Sequence, residues 1–378
     1  MSIIKPFKAL RPQAQFAKQV ASRPYDVLNS AEAKVEAQGN NHSFLYITKS
    51  EISLPESADI HAPEVYETAK QNLAAFMQRD VLFKENKECY YIYQLIMNGR
   101  SQTGLVAVSS VDDYENDIIK KHEFTRPEKE LDRINHIKTT GAQTGNVFLA
   151  YRNNDSIDSI IENWKKIKSP VYDFVADDTI QHTIWIVNED ETIASITEIF
   201  ATQIPCTYIA DGHHRAASAA KVRKALGNDI NYESNYFLTT LFPSNQLYIM
   251  DYNRVVKDLN GLSTSEFMEK LNDSFQVEKI GASIYKPSRL HDFGMYLEGN
   301  WYKLTSKSGT YDDNDPIGIL DVTVLSKQIL EPILAIKDLR TDKRIEFVGG
   351  LRGLGELEKR VNSGEMKVAF ALYPVTMK

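Results

Sequence analysis

Tyr208-Ile209-Ala210-Asp211-Gly212-His213-His214-Arg215, continuing as Ala216-Ala217-Ser218-Ala219-Ala220, is the stretch on which the reading of this chain turns. The apolar run from Ile204 to Ala210 predicts a buried strand, and Asp211-Gly212 predicts a tight turn. The alanine-rich run to Leu226, closed by Gly227-Asn228, predicts a helix. Two imidazoles and a guanidinium therefore stand in the first turn of a helix. That end carries free backbone N–H groups and the positive end of the helix dipole, so it favours anions. Gly212 permits close backbone approach to a ligand, and Arg215 has the fork that suits phosphate oxygens. Read locally, Asp-Gly is also a common turn, and His or Arg at a helix start is often simply solvated. Cations crowded at a positive helix end are unfavourable without an anion, however, which points to a phosphate cradle.

Working outward, strand-like and helix-like segments alternate along the whole chain, which predicts an α+β (mixed α/β) fold. Helices are expected over Glu64–Arg79, Pro127–Thr140, Asp155–Ile167 and Glu191–Thr202. In the second of these, Leu131, Ile134 and Ile137 are the expected apolar face. Hairpins are expected around Asn98-Gly99, around Pro243-Ser244-Asn245 (joining Tyr236–Phe242 to Gln246–Met250) and around Gly299-Asn300. Ser263 and Glu266 form a capping box, and Asp321 is read as the cap of a helix to Ala335. The C-terminal stretch reads strand, glycine-rich turn, helix, strand. The expected division is a main domain over 1–310 and a C-terminal α/β segment over 317–378, separated by the acidic stretch Tyr311–Pro316 and packed on the same body.

With 378 residues, 42% of them hydrophobic and a quarter charged, the composition is that of a globular protein. A net charge of −7 disfavours bulk binding to nucleic acid or anionic membranes. No basic recognition helix is legible, so no specific nucleic-acid partner is expected. No apolar run approaches the ~20 residues that span a bilayer. Neither this nor the N-terminal sequence suggests a membrane or export signal, and the expected location is cytoplasmic. Cys89 and Cys206 form no Cys-x-x-Cys pair and read as small core residues.

Two further clusters bear chemistry. Lys120-Lys121-His122-Glu123-Phe124-Thr125-Arg126-Pro127-Glu128 gathers basic groups, a carboxylate and a hydroxyl before a helix. On local features Thr125 is a cap and the charges are solvated. Glu123 becomes a general-base candidate only if the fold brings it to the phosphate turn. Arg23-Pro24-Tyr25-Asp26-Val27 reads locally as an ordered turn, with Asp26 a ligand-contact candidate.

Together, Asp211-Gly212-His213-His214-Arg215 and the upstream His122-Glu123-x-Thr125 segment resemble the ParB/sulfiredoxin-like fold, in which such a turn binds nucleotide phosphates. Within that fold the chain resembles free-serine kinases, over about 120–226, through a His-Glu segment and an Asp-Gly-x-His-Arg-like turn. The longer chain resembles domain-of-unknown-function family 1015, through Ile4-Lys5-Pro6-Phe7-Lys8-Ala9-Leu10-Arg11, Pro24-Tyr25-Asp26-Val27, the Asp211–Arg215 turn, Leu320-Asp321-Val322 and Ala369-Phe370-Ala371-Leu372-Tyr373-Pro374. The resemblance implies a phosphoryl-transfer enzyme using ATP or ADP and Mg²⁺ on a small hydroxylated metabolite such as serine. It implies Glu123, Asp211 and His214 as catalytic groups, with Asp211 near Mg²⁺. Gly212, His213, His214 and Arg215 would hold phosphate, and His122, Thr125, Arg126 and Asp26 would contact substrate. Phosphoserine hydrolysis at the same site and a ParB-like nucleotide switch without turnover are the alternatives. A sulfiredoxin-type reductase fits worse, because no cysteine lies in the turn. Compared with the kinases, a long insertion lies between Gly141 and Asp211.

Overall fold

The computed structural model describes the chain except Phe124, Arg126, 228–231, Asp313, Arg340 and 376–378, and the side chains of Tyr232 and Leu351. It is mixed α+β and divides into two compact units, Met1–Leu247 and Tyr248–Lys378.

The first unit is built on a nine-stranded sheet. Its strands are β1 (Ile4–Lys5), β4 (Tyr90–Met97), β5 (Arg100–Ser110), β6 (Ile119–Lys120), β7 (Val147–Tyr151), β8 (Tyr172–Val175), β9 (Gln181–Val187), β10 (Thr207–Asp211) and β11 (Tyr236–Pro243); β2 (Leu10–Pro12) and β3 (Leu82–Lys84) pair separately. The order is β6-β10-β7-β11-β5-β4-β9-β8, with β1 on β5. Six helices of eight residues or more accompany it among the described residues: α1 (Ser30–Ala37), α2 (Pro63–Gln78), α3 (Pro127–Thr140), α4 (Asp155–Ile167), α5 (Asp190–Gln203) and α6 (His213–Leu226). The core joins Tyr90, Ile92, Leu149, Trp164, Phe200 and Phe237 to the small face of α6. Ala216, Ala217, Ser218, Ala219 and Ala220 are all buried, so α6 is enclosed on nearly every side. Only side chains this small let the helix lie against both the sheet and α3.

Helix α3 occupies the predicted span, but its buried stripe is shifted by one position. Leu131 is exposed, Ile134 and Ile137 are half-buried, and Glu130, Arg133 and His136 are the buried residues. Each buried polar group is satisfied by a partner. Glu130 pairs with Lys221 on α6. Arg133 pairs with Asp132, and His136 Nε2 donates to the carbonyl of Ile47 at 2.9 Å.

The second unit is a six-stranded sheet of β12 (Tyr252–Val256), β13 (Phe275–Gly281), β14 (Asp292–Leu297), β15 (Asn300–Ser306), β16 (Ile345–Gly349) and β17 (Val368–Ala371), ordered β13-β15-β14-β17-β12-β16. Its helices include α7 (Thr264–Ser274), α8 (Asp321–Leu325) and α9 (Gly355–Asn362). The capping box of Ser263 and Glu266 is present at the start of α7.

Three expectations are corrected here. The division falls at Leu247/Tyr248, and 311–316 lies within the second unit, because strands before and after it share one sheet. The second half of the expected Pro243-Ser244-Asn245 hairpin is absent. A short 3-10 turn, Ser244–Gln246, ends β11, and the next strand, β12, belongs to the other sheet. Asp321 is not a side-chain cap. It is buried at the first position of α8, accepts from the N–H of His291 at 2.8 Å, and α8 gives way to a π-helical turn, Ser326–Leu330. Cys89 is buried as expected, whereas Cys206 is half-exposed.

Candidate functional site

The site grows from the end of β10. A register shift between Ile209 and Asp211 against β7 places a bulge at Ala210, which re-aims the strand end. Gly212 follows at φ +95°, a left-handed conformation that disfavours any side chain, and α6 begins at His213. The first turn of α6 has no side-chain cap and no acidic residue. The N–H groups of its opening residues have no intrahelical acceptors, which leaves a cradle for an anion.

The parallel pairing of β6 with β10 brings the second motif alongside. Ile119 is opposite Thr207 and Lys120 opposite Tyr208, so the residues that follow run beside Asp211 and Gly212. Glu123 thereby reaches the turn, with Oε2 3.4 Å from His213 Nδ1. The His122 ring meets the His213 ring edge-on, with centroids 4.5 Å apart. Burial, reinforced by the neighbouring His122, pushes His213 below the usual histidine range, although Glu123 and Asp211 oppose this. His213 is 4% exposed, and its Nε2 and the Nδ1 of His214 are buried without hydrogen-bond partners among the described residues. Two orphaned imidazole nitrogens at one helix start cost about 1–3 kcal/mol each unless a ligand or water meets them.

The third motif arrives through Arg215. Its Nη2 donates to Asp211 Oδ2 at 2.8 Å and to Asp26 Oδ2 at 3.2 Å, and its Nη1 donates to the carbonyl of Asn146. Burial alone would lower the pKa of this guanidinium, but Asp211, Asp26 and Tyr25 raise it above the ordinary arginine value. The side chain threads between two glycines. A Cβ on Gly145 would lie 3.3 Å from Arg215 Cδ, and one on Gly212 would lie 3.3 Å from its Cζ. The fork expected to hold phosphate is thus engaged by carboxylates and a carbonyl, and it braces the turn.

Thr125 supports the site from behind. It lies beside Glu130, whose carboxyl pairs with Lys221; burial alone would raise that carboxyl, but Lys221 and Thr125 hold it below the usual carboxylate range. Ser218 Oγ lies 3.2 Å from the carbonyl of Glu130 and 2.7 Å from that of His214, tying α3 to α6 at their facing starts. Arg126 lies outside the described residues. The structure therefore brings Asp26, His122, Glu123, Thr125 and the Asp211–Arg215 turn into one neighbourhood. Sequence reading passed over Arg133, His136, Gly145 and Asn146. The signal for the first two was the Glu130, Arg133, His136 spacing of three, a polar stripe on a helix whose apolar residues are few. Among the described residues there is no group of three or more His, Cys, Asp or Glu side chains arranged to hold a metal ion.

Fold and site together define an α+β protein with an anion-receptive helix start, assembled from three distant chain segments. The chain belongs to the family described as protein of unknown function (DUF1015), whose model matches residues 4–323. No curated protein and no solved structure matches it. Among the described residues no helix is long and apolar enough to cross a membrane.

Proposed function

We propose that this protein is a nucleotide-dependent phosphotransferase acting on the hydroxyl of a small metabolite, with ATP or ADP as its nucleotide and a ParB/sulfiredoxin-like core over about 120–226. The carrying observation is the placement of the Glu123 carboxylate 3.4 Å from His213 at an uncapped helix start. Phosphoryl transfer needs chiefly positioning and charge stabilisation, with one group to accept the proton of the acceptor hydroxyl. The opening N–H groups of α6 and the buried nitrogens of His213 and His214 face the phosphates. Glu123, 58% exposed, is open to an acceptor and takes its proton. Arg215 holds Asp211 and Asp26 in place instead of releasing its fork to the nucleotide.

Mg²⁺ fits this arrangement through Asp211. Its side chain is 66% exposed and only Oδ2 contacts Arg215, so Oδ1 is left for a ligand. One carboxylate together with substrate phosphates and water is a usual Mg²⁺ set, and the ion would neutralise charge on the transferred group.

The test is a ³¹P NMR product screen of ATP and ADP against hydroxylated amino acids and hydroxy acids. A new phosphate monoester, lost in Glu123→Gln, is the expected result. Tight nucleotide binding with no product from any acceptor would refute turnover and leave a nucleotide switch. Release of phosphate from phosphoserine alone would assign a hydrolase.

A further inference from the structure

Three arginines are buried among the described residues, and they are not alike. Arg133 pairs with Asp132, and Arg223 pairs with Asp112 and Glu115. Arg254 on β12, only 6% exposed, has no carboxylate partner among the described residues. Its one hydrogen bond runs from Nη1 to the carbonyl of Tyr252, which leaves Nε and Nη2 without partners among the described residues, and neither is wholly sealed from solvent. Burial holds its pKa down at about 10, opposed only by Tyr252, so the group stays charged near pH 7. The strand register sets its surroundings. Arg254 lies opposite Phe370 on β17 and opposite Phe347 on the edge strand β16, and Tyr252 shares its face of the sheet. Phe370 is buried, whereas Phe347 is 36% and Tyr252 54% exposed. These two rings stack, with centroids 5.3 Å apart and planes 15° apart. The Arg254 Cζ is 4.5 Å from the Phe347 centroid and 5.0 Å from that of Tyr252. A buried charge without a counter-ion is costly, and ring faces offset only part of that cost. The rim of the second unit thus holds a cation lacking its anion, beside an exposed aromatic surface.

We propose that Tyr252, Arg254 and Phe347 form a ligand site of the second unit, and that it takes a small planar ring bearing a carboxylate or phosphate. The oxyanion is bound by Arg254 Nε and Nη2, which form one edge of the guanidinium and suit two oxygens side by side. The ring of the ligand stacks on the exposed aromatic surface of Tyr252 and Phe347. A polypeptide partner fits less well. A specific protein interface buries on the order of 1,000 Å² or more, and two rings beside one cation make a patch of side-chain size. A guanidinium with one open edge discriminates strongly, because a neutral ring leaves a buried charged donor unpaired. The site shares no residue with the first unit, so it stands whatever the chemistry of the phosphate turn.

The test is calorimetry on the full chain. The probes are benzoate, indole-3-acetate and phenyl phosphate. Their neutral counterparts are benzamide, indole-3-acetamide and phenol, and their ringless counterparts are acetate and inorganic phosphate. At least one probe is expected to bind about fivefold or more tightly than both of its counterparts, and the tighter probe tells carboxylate from phosphate. Arg254→Met should weaken that probe by roughly 10- to 150-fold, the span of one charge-assisted hydrogen bond. Tyr252→Ala, at an exposed position, should weaken it by roughly 2- to 12-fold, the span of one aromatic pair. Without ligand, Arg254→Met removes an uncompensated charge, so its urea midpoint should be unchanged or raised. A cation that served only to hold the two rings would lower it. No binding by any probe, a smaller margin over either counterpart, or full affinity in Arg254→Met or Tyr252→Ala would each overturn the site. So would a lowered midpoint, or failure to fold, in Arg254→Met.

Discussion

Replacing Arg215 with alanine should destabilise the first unit by about 2–3 kcal/mol. The side chain is 14% exposed and makes three polar contacts. A fully buried charge-assisted hydrogen bond contributes about 1.5–3 kcal/mol, and an exposed ion pair about 0–1. Asp211 is 66% exposed and Asp26 is 37% exposed, so both pairs belong nearer the lower figure and give about 1–2 kcal/mol between them. The bond to Asn146 and the packing between Gly145 and Gly212 supply the rest. Urea unfolding followed by tryptophan fluorescence reads this directly. Trp164 and Trp185 are buried in the first unit, and Trp301→Phe silences the signal from the second. Arg215→Lys should lose roughly half as much, since one ammonium cannot span three acceptors. In the cycle of Arg215→Ala with Asp26→Asn, the two changes should couple by about 1 kcal/mol, because Asp26 loses its partner in the single variant. An unchanged urea midpoint in Arg215→Ala, or coupling below about 0.3 kcal/mol, would show that the guanidinium does not brace the turn.

Three further outcomes follow from the same geometry. Gly212→Ala should cost about 1–2 kcal/mol from its φ of +95° and weaken ATP binding, since the new methyl meets Arg215 and Val147; native-like stability and affinity would count against the cradle. Glu123→Gln should lower turnover by ~10²–10⁴-fold with ADP affinity nearly intact, and full activity would remove Glu123 as the base. His136 is held at about 4 against an ordinary 6.5, so between those values the unfolded chain binds more protons, and stability is lost as pH falls through that window. The loss is at most about 3 kcal/mol and should be smaller in His136→Gln, and equal urea midpoints for the two proteins at pH 7 and at pH 5 would refute the assignment.

Much of this was legible in the sequence because local chemistry decided it. Proline at the first position and glycine after the last fixed α3 at Pro127–Thr140, and the strand, Asp-Gly turn and alanine-rich run fixed β10 and α6. What escaped depends on partners distant in the chain. Leu131 looked like core until α6 presented Lys221 to Glu130, and the buried face became the polar one. The short strand β6 carries almost no pattern of its own, yet its pairing with β10 is what carries Glu123 to the turn. Arg215 was legible as a cation at a helix start. That two carboxylates would occupy it was not, because Asp26 lies far upstream in the chain and its approach is a matter of topology. The division at Leu247 was missed because no composition shift marks it, whereas the acidic loop that looked like a boundary only joins elements of one sheet.

The two-residue parallel ladder of β6 against β10 also sets how much change in chain length the site tolerates. Loops elsewhere on such a fold absorb insertions at little cost, but here spacing is measured outward from a fixed rung. One residue added between Lys120 and Glu123 would lengthen the short irregular stretch that carries the carboxylate and move it off its 3.4 Å approach to His213, with β6 still paired to β10. An indel there would therefore part Glu123 from His213 while leaving the sheet and its core in place. The spacing from Lys120 to Glu123 in homologous chains is consequently a sharper marker of which members keep this arrangement than the identity of any core residue.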